Sequence, residues 1–342
     1  MPKFGVMIKL APYEQMARHV SLAESSGLDS IWMPDHLVVE DYLGLCPEAW
    51  STLSALAIGT QKVSLGTSVT DPYRRHPAVL AHTVATVNMI SRGRAVLGLG
   101  AGEAMNVEPF GIPWDRRLAR MKETIEVMRK LWEGGMVDYQ GEIFRLSKAF
   151  IQVPSTQKRS PRIYVAANSP KTRSLVGVYG DGWLAEMMSP ERYANDIRDV
   201  KNAARVAGRD IADIDVTCVV TTGISGDYDS AKKAALRKAK RRFLWWPKQL
   251  ETYGYHVMGE FDWNSLVIDK DTANRIEEHL SDVPDEPCEK VTIFGTAEDC
   301  IDKIEKYGKS GVNSFEFEIE TPYEESLEII QKKIIPYFKE QG

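Results

Sequence analysis

Cysteine is scarce in this chain of 342 residues, and the four present, Cys46, Cys218, Cys288 and Cys300, form no CxxC pair and have no histidine at a zinc-site interval. A structural zinc site and a disulfide framework are therefore not expected, and no metal is assigned; scattered thiols of this kind fit a reducing compartment. No run approaches 18 apolar residues, so no membrane span is expected. The opening MPKFGVMIKLAPYEQ has neither the long apolar core nor the cleavage site of a secretory signal, and a cytoplasmic location is the expectation. Positive charge is not in excess either, because 48 acids against 43 bases leave a net charge of −5. Such a balance supplies no broad cationic field for neutralising phosphates, and nucleic acid is a poor partner.

What is present is an ordinary globular composition, 43% hydrophobic and 27% charged, sufficient for a packed core. The first hundred residues repeat one theme of short apolar run, polar loop and helical periodicity, the pattern of βα units. Strands are expected at 3–9, 30–33, 62–68 and 95–99, with helices at 13–26, 48–59 and 77–90, the last opened by Pro77 at a first-turn position. A helix at 114–133 follows, with Leu118, Met121, Ile125 and Met128 on one face. The alternation around Gln140 and Gly141 reads as an inserted hairpin over 136–152. The theme then resumes with strands at 162–166, 182–185, 214–221, 291–294 and 314–319, and helices beginning at Pro170, at 190–207, 297–307 and 323–338. Between them, residues 229–287 read as a large insertion. The expected fold is a (β/α)8 TIM barrel, one elaborated domain over 1–342, with function at the C-terminal ends of its strands.

Polar and small residues gather at those strand ends. In RAVLGLGAGEAMN, Gly98, Gly100 and Gly102 recur at every second position before Glu103, which suits either a tight strand-to-helix turn or the close approach of a flat ligand to the backbone. The carboxylate follows at once instead of about 20 residues later, so the stretch is not a dinucleotide fingerprint. Asp35 and His36 follow the second strand; the pair reads as a structural turn or as a proton-exchanging group. GTSVTDP at 66–72 is either a plain loop or a ligand floor. AANSPKT at 166–172 either caps a helix through Ser169 or presents its amides to a phosphate. The basic run at 232–242, followed by FLWW, reads as a solvated helix beside an aromatic plug, or as a cationic collar for an anionic ligand.

In this order, Asp35-His36, GTSV at 66–69 and GxGEAxN ending at Asn106 resemble the luciferase-like flavin and deazaflavin oxidoreductases, most closely the branch dependent on coenzyme F420. The likeness covers most of residues 4–183 and extends to MKETIEVMRKLW and VDYQGEIFRL. It implies a non-prolyl cis peptide between Ser68 and Val69. It implies further that Asp35, Asp71, Ala101, Gly102 and Asn106 line the ring and ribityl chain, and that Asn168, Ser169, Lys171 and Thr172 meet the phosphate. His36 and Glu103 fall on the catalytic positions, His36 for the substrate's oxygen proton and Glu103 for the ring's N1 side, while Asp35 holds the ring or orients the imidazole. The cofactor expected is F420, with FMN as the alternative; the partners expected are a small-molecule substrate and a second copy of the chain in a homodimer. The chain departs from the family pattern at Glu40, where the dehydrogenases carry tryptophan, and at Asn168 and Ser169, where two glycines are frequent. Glucose 6-phosphate is accordingly not the expected substrate. The activity implied is hydride transfer between deazaflavin C5 and an alcohol or carbonyl compound. The rivals are a methylenetetrahydromethanopterin reductase, which shares the FGIPW-like turn at 110–114, an FMN-dependent monooxygenase, and a barrel that binds cofactor without turnover.

Overall fold

Eight parallel strands close on themselves in a computed structural model that describes residues 1–39, 44–153, 160–257 and 269–341. The elements in chain order are β1 (Lys3–Met7), α1 (Tyr13–Ser25), β2 (Ser30–Met33), α2 (Ala49–Ile58), β3 (Ser64–Thr67), α3 (Pro77–Ile90), β4 (Ala95–Leu99) and α4 (Arg117–Glu133). The hairpin β5 (Val137–Gln140) and β6 (Arg145–Ala149) precedes β7 (Arg162–Ala166), α5 (Pro170–Tyr179), β8 (Gly182–Glu186), α6 (Pro190–Val206) and β9 (Asp215–Ile224). Helices α7 (Tyr228–Trp245), α8 (Pro247–Glu251), α9 (Lys270–Glu278) and α10 (Asp285–Val291) lead to β10 (Ile293–Gly295), α11 (Ala297–Lys309), β11 (Ser314–Ile319), α12 (Tyr323–Ile329) and α13 (Ile335–Glu340). The ring runs β1-β2-β3-β4-β7-β8-β9-β11 and returns to β1, the (β/α)8 barrel expected.

The strand at 291–294 is where the sequence expectation needs correction. β10 pairs only with the distal end of β9, Ile293 opposite Thr222, and stands outside the ring, which β11 closes. β9, ten residues long, pairs with β8, β10 and β11 and is buried throughout, the continuous burial typical of parallel strands covered on both faces. Two boundaries also move. Residues 61–63 do not join β3, since the amides of Gln61, Lys62 and Val63 all donate to the Glu24 carboxylate at 2.9, 2.7 and 3.1 Å. Helix α4 starts three residues later than expected because the Trp114 indole turns back to donate to the Ala101 carbonyl. The closing helix is broken by a π-turn over Ile330–Ile334, just ahead of Pro336, whose ring cannot fit a regular helical ladder.

Two apolar layers hold the barrel. Outside the ring, Phe4 stacks on Phe315 and Phe317 with ring centroids 5.9 and 5.8 Å apart, and Phe338 of α13 closes on them. Inside it, Trp32, Val96, Tyr164, Leu184 and Val219 fill the lumen. The N-terminal end is sealed by Asp215, which takes salt bridges from Lys3 and Arg162 and a hydrogen bond from Tyr164. With that end closed, the space left for a ligand lies at the C-terminal end. The expected hairpin forms, and its turn is pinned by the buried Glu123 carboxylate, which accepts from the amides of Glu142, Ile143 and Phe144. Among the described residues no helix is long and apolar enough to cross a membrane.

Candidate active site

A cavity of about 1130 Å³ opens at the C-terminal end of the barrel, and all thirteen residues singled out from the sequence line it or its mouth. They are Asp35, His36, Ser68, Val69, Asp71, Ala101, Gly102, Glu103, Asn106, Asn168, Ser169, Lys171 and Thr172. They arrive from four different strand ends: β2 delivers Asp35 and His36, β3 the Ser68–Asp71 loop, β4 the Ala101–Asn106 turn, and β7 the start of α5.

The floor is a bulge after β3. The Ser68–Val69 peptide is cis, Ser68 N–H donates to the Met33 carbonyl, and Thr70 bridges to β4 through Gly98 O and Gly100 N–H. This close apposition needs glycine on β4. A Cβ on Gly98 would stand 1.9 Å from the Thr67 carbonyl oxygen, and one on Gly100 would stand 2.3 Å from Val69 Cγ2. The alternate glycines thus serve strand contact at Gly98 and an open floor at Gly100.

Beneath one side of the floor, Asp35 is 1% exposed and fully engaged. Its carboxylate accepts from Thr70 Oγ1 at 2.7 Å and pairs with Arg75 at 2.8 Å and Arg74 at 3.2 Å. Thr70 in turn accepts from the Trp50 indole, and Asp71 binds Arg74 and the amides of Tyr73 and Arg74. Both aspartates are therefore spent on arginines and the loop backbone, and Asp35 does not orient the imidazole. That work falls elsewhere. His36 Nε2 lies 3.4 Å from Glu103 Oε2, both side chains slightly more than a fifth exposed to the cavity. Asn106, buried, ties the two together: its Oδ1 accepts from the amides of Leu37 and Val38 at 2.7 and 3.0 Å, and its Nδ2 donates to Glu103 at 3.2 Å. One amide thereby fixes the histidine loop and the carboxylate in a common frame, so Asn106 acts here as a clamp as well as a lining residue.

At the far end of the cavity, α5 begins with a capping box in which the Ser169 and Thr172 side chains satisfy each other's amides. Arg173 holds the Asn168 carbonyl from below while pairing with Asp196 and Asp199. Lys171 and Arg117 carry no ion pair among the described residues; Arg117 instead stacks on Trp114 at 4.3 Å. The mouth is thus positive in a protein that is negative overall.

Apart from Arg242 and Trp246, which end the basic run at 232–242 and the FLWW after it, the opposite wall carries none of the residues marked by the sequence. Glu186 at the end of β8, Val219 of β9, and Arg242, Trp246 and Lys248 from the α7–α8 corner complete the lining. Arg242 binds Glu186 and also Glu318 of β11, the latter at 2.8 Å. Burial opposes ionisation of Glu318, but Arg242 and Lys238 outweigh it and hold the carboxyl below its ordinary range. Of the basic run at 232–242, Lys232, Arg237, Lys240 and Arg241 pair with Glu289, Glu277, Asp285 and Glu277 on the outer side. Lys238 and Arg242 turn inward instead, both onto Glu318, so most of the run forms the solvated face while Arg242 alone lines the cavity. Glu40, where a departure from the family pattern was noted, lies outside the described residues.

Over 98% of its length the chain is 31% identical to the whole of 5,10-methylenetetrahydromethanopterin reductase from Archaeoglobus fulgidus. It superposes on an F420-dependent secondary alcohol dehydrogenase in complex with an F420-acetone adduct with a TM-score of 0.84, 27% identity and 98% of each chain covered. On the coenzyme F420-dependent tetrahydromethanopterin reductase from Methanopyrus kandleri the TM-score is 0.83, at 25% identity, covering 98% of this chain and 99% of the other. The family profile described as luciferase-like monooxygenase matches residues 2–314, and the chain belongs to that family.

Proposed function

We propose that the protein is a coenzyme F420-dependent oxidoreductase that moves a hydride between the deazaflavin and a carbon of a small organic substrate, with an alcohol–carbonyl pair as the substrate class. The observation that carries the reading is the His36–Glu103 pair, 3.4 Å apart at the mouth of a glycine-floored cavity. A flat ring fits the groove that a Cβ on Gly100 would fill, and the unpaired Lys171 and Arg117 suit an anionic tail. Similarity to enzymes named for F420 supports the cofactor choice.

When bound, the deazaflavin supplies a hydride donor or acceptor at its C5. In this chain Ser68, Val69, Ala101 and Gly102 form the surface for the ring. Asn168, Ser169, Lys171 and Thr172 stand where a phosphate meets the start of α5, with the Ser169–Thr172 hydroxyls able to exchange their mutual bond for the anion. His36 gives up or takes the proton on the substrate oxygen. Glu103 exchanges the proton at ring N1, and Asn106 keeps both in register. The Arg242–Trp246 corner closes the substrate side and excludes water. A cytoplasmic homodimer is part of the same reading, checked by light scattering of the purified protein.

A second reading, reduction of a carbon–nitrogen bond in a methylene-pterin, is favoured by the 31% identical relative. The two are separated by following deazaflavin absorbance and fluorescence against panels of secondary alcohols, ketones and methylenetetrahydromethanopterin. Turnover of the pterin with none of any alcohol or carbonyl compound would replace the first reading by the second.

A further inference from the structure

Glu316 stands on β11 inside the barrel, opposite Gly5 of β1 and Val219 of β9. It is 0% exposed, and neither carboxylate oxygen has a hydrogen-bond partner among the described residues. Val219 and Ser68, its neighbours, both line the cavity, so Glu316 lies directly under the floor. A carboxylate ion without partners in such a place is among the most costly arrangements a fold can hold; the neutral acid is far cheaper. The groups that face it explain why no partner compensates. From the loop after β3 the Ser68 hydroxyl, and from α7 Arg242, favour the ion; against them, Glu186 of β8 and Glu318 of its own strand add negative charge, and Arg242 is already bound to those two carboxylates. On β9 the nearest titratable group is the buried thiol of Cys218, and β1 offers only Gly5 and Met7. Burial, with Glu186 and Glu318 beside it, pushes the Glu316 carboxyl up to about 8.

We propose that Glu316 is kept as a neutral acid under the ring floor and is a positioning residue there: protonated, it leaves an uncharged floor for the cofactor ring, and its ionisation weakens binding of the anionic cofactor. The inference rests on the cofactor reading above. Ionisation releases one proton to solvent and forms no other bond. Where Glu316 is ionised, binding of the anionic cofactor therefore takes up one proton at this residue.

The test has two arms. Infrared titration of wild-type protein against Glu316→Gln should show a protonated carboxyl stretch at about pH 6.5 that is gone by about pH 9.5. The dissociation constant for F420, read by fluorescence and absorbance, should rise on the order of tenfold over that interval in wild type, as expected for a buried charge near an anion. That rise should be smaller by the same factor in Glu316→Gln and in Glu316→Val, the second variant matching the apolar surroundings if the amide misfolds. Absence of the stretch at about pH 6.5, or an equal rise in wild type and variants, overturns the proposal. Failure of F420 to bind at any pH, with the stretch present, overturns the cofactor reading and the coupling, and leaves the neutral acid established.

Discussion

The stability of Glu316→Gln as a function of pH can be worked from the structure. In the unfolded chain the carboxyl titrates near its ordinary 4.5, and in the folded barrel near about 8. The folded state holds the proton more tightly, so unfolding releases it anywhere between those values, and stability falls as pH rises. The contribution is fully present below about pH 4.5 and lost once pH passes about 8. At 1.36 kcal/mol for each pH unit, the loss is on the order of 5 kcal/mol, a large fraction of a usual folding free energy of 5–15 kcal/mol. Glutamine has the same shape and no charge to lose. The difference in unfolding free energy, wild type minus variant, should therefore decline steadily from about pH 5 to about pH 8 and then level off, every other titrating group cancelling. Urea midpoints at constant m-value read this difference directly. A difference that stays flat across the range would show that Glu316 is already ionised in the fold, and would refute the argument from burial.

His36→Ala and Glu103→Gln should each lower kcat by about 10² to 10⁴ in steady-state assays on the true substrate, with oxidised-cofactor affinity little changed for His36→Ala. Lys171→Ala and Arg117→Ala should each weaken cofactor binding by about tenfold at low salt in fluorescence titrations, the effect shrinking as salt is added. Gly100→Ala places a Cβ 2.3 Å from Val69 Cγ2, so it should abolish ring binding in the same titration while circular dichroism stays that of the barrel.

The barrel was legible because parallel strands and amphipathic helices leave strong periodic signals, and the cofactor side was legible because its residues fall in short motifs directly after β2, β3, β4 and β7. Two things escaped. β10 shows the same short apolar run as a ring strand, and only its pairing with the far end of β9 reveals that it lies outside. The Glu186–Arg242–Glu318 wall and Glu316 are assembled from positions up to 132 residues apart, with no local spacing to mark them. An alternating FEFEI strand does place its glutamates on one face, and in a closed barrel that face is the lumen. The reach of Asn106 to both Glu103 and the histidine loop was likewise invisible, since its partners at Leu37 and Val38 are backbone amides.

The measurement that bears most directly on the account is parallel titration of the purified protein with F420 and with FMN, following fluorescence. Saturable binding of F420 at micromolar concentration or below is expected, with no saturation by FMN at concentrations about a hundred times higher. Tight binding of FMN with no response to F420 would contradict it and assign the cavity to a flavin.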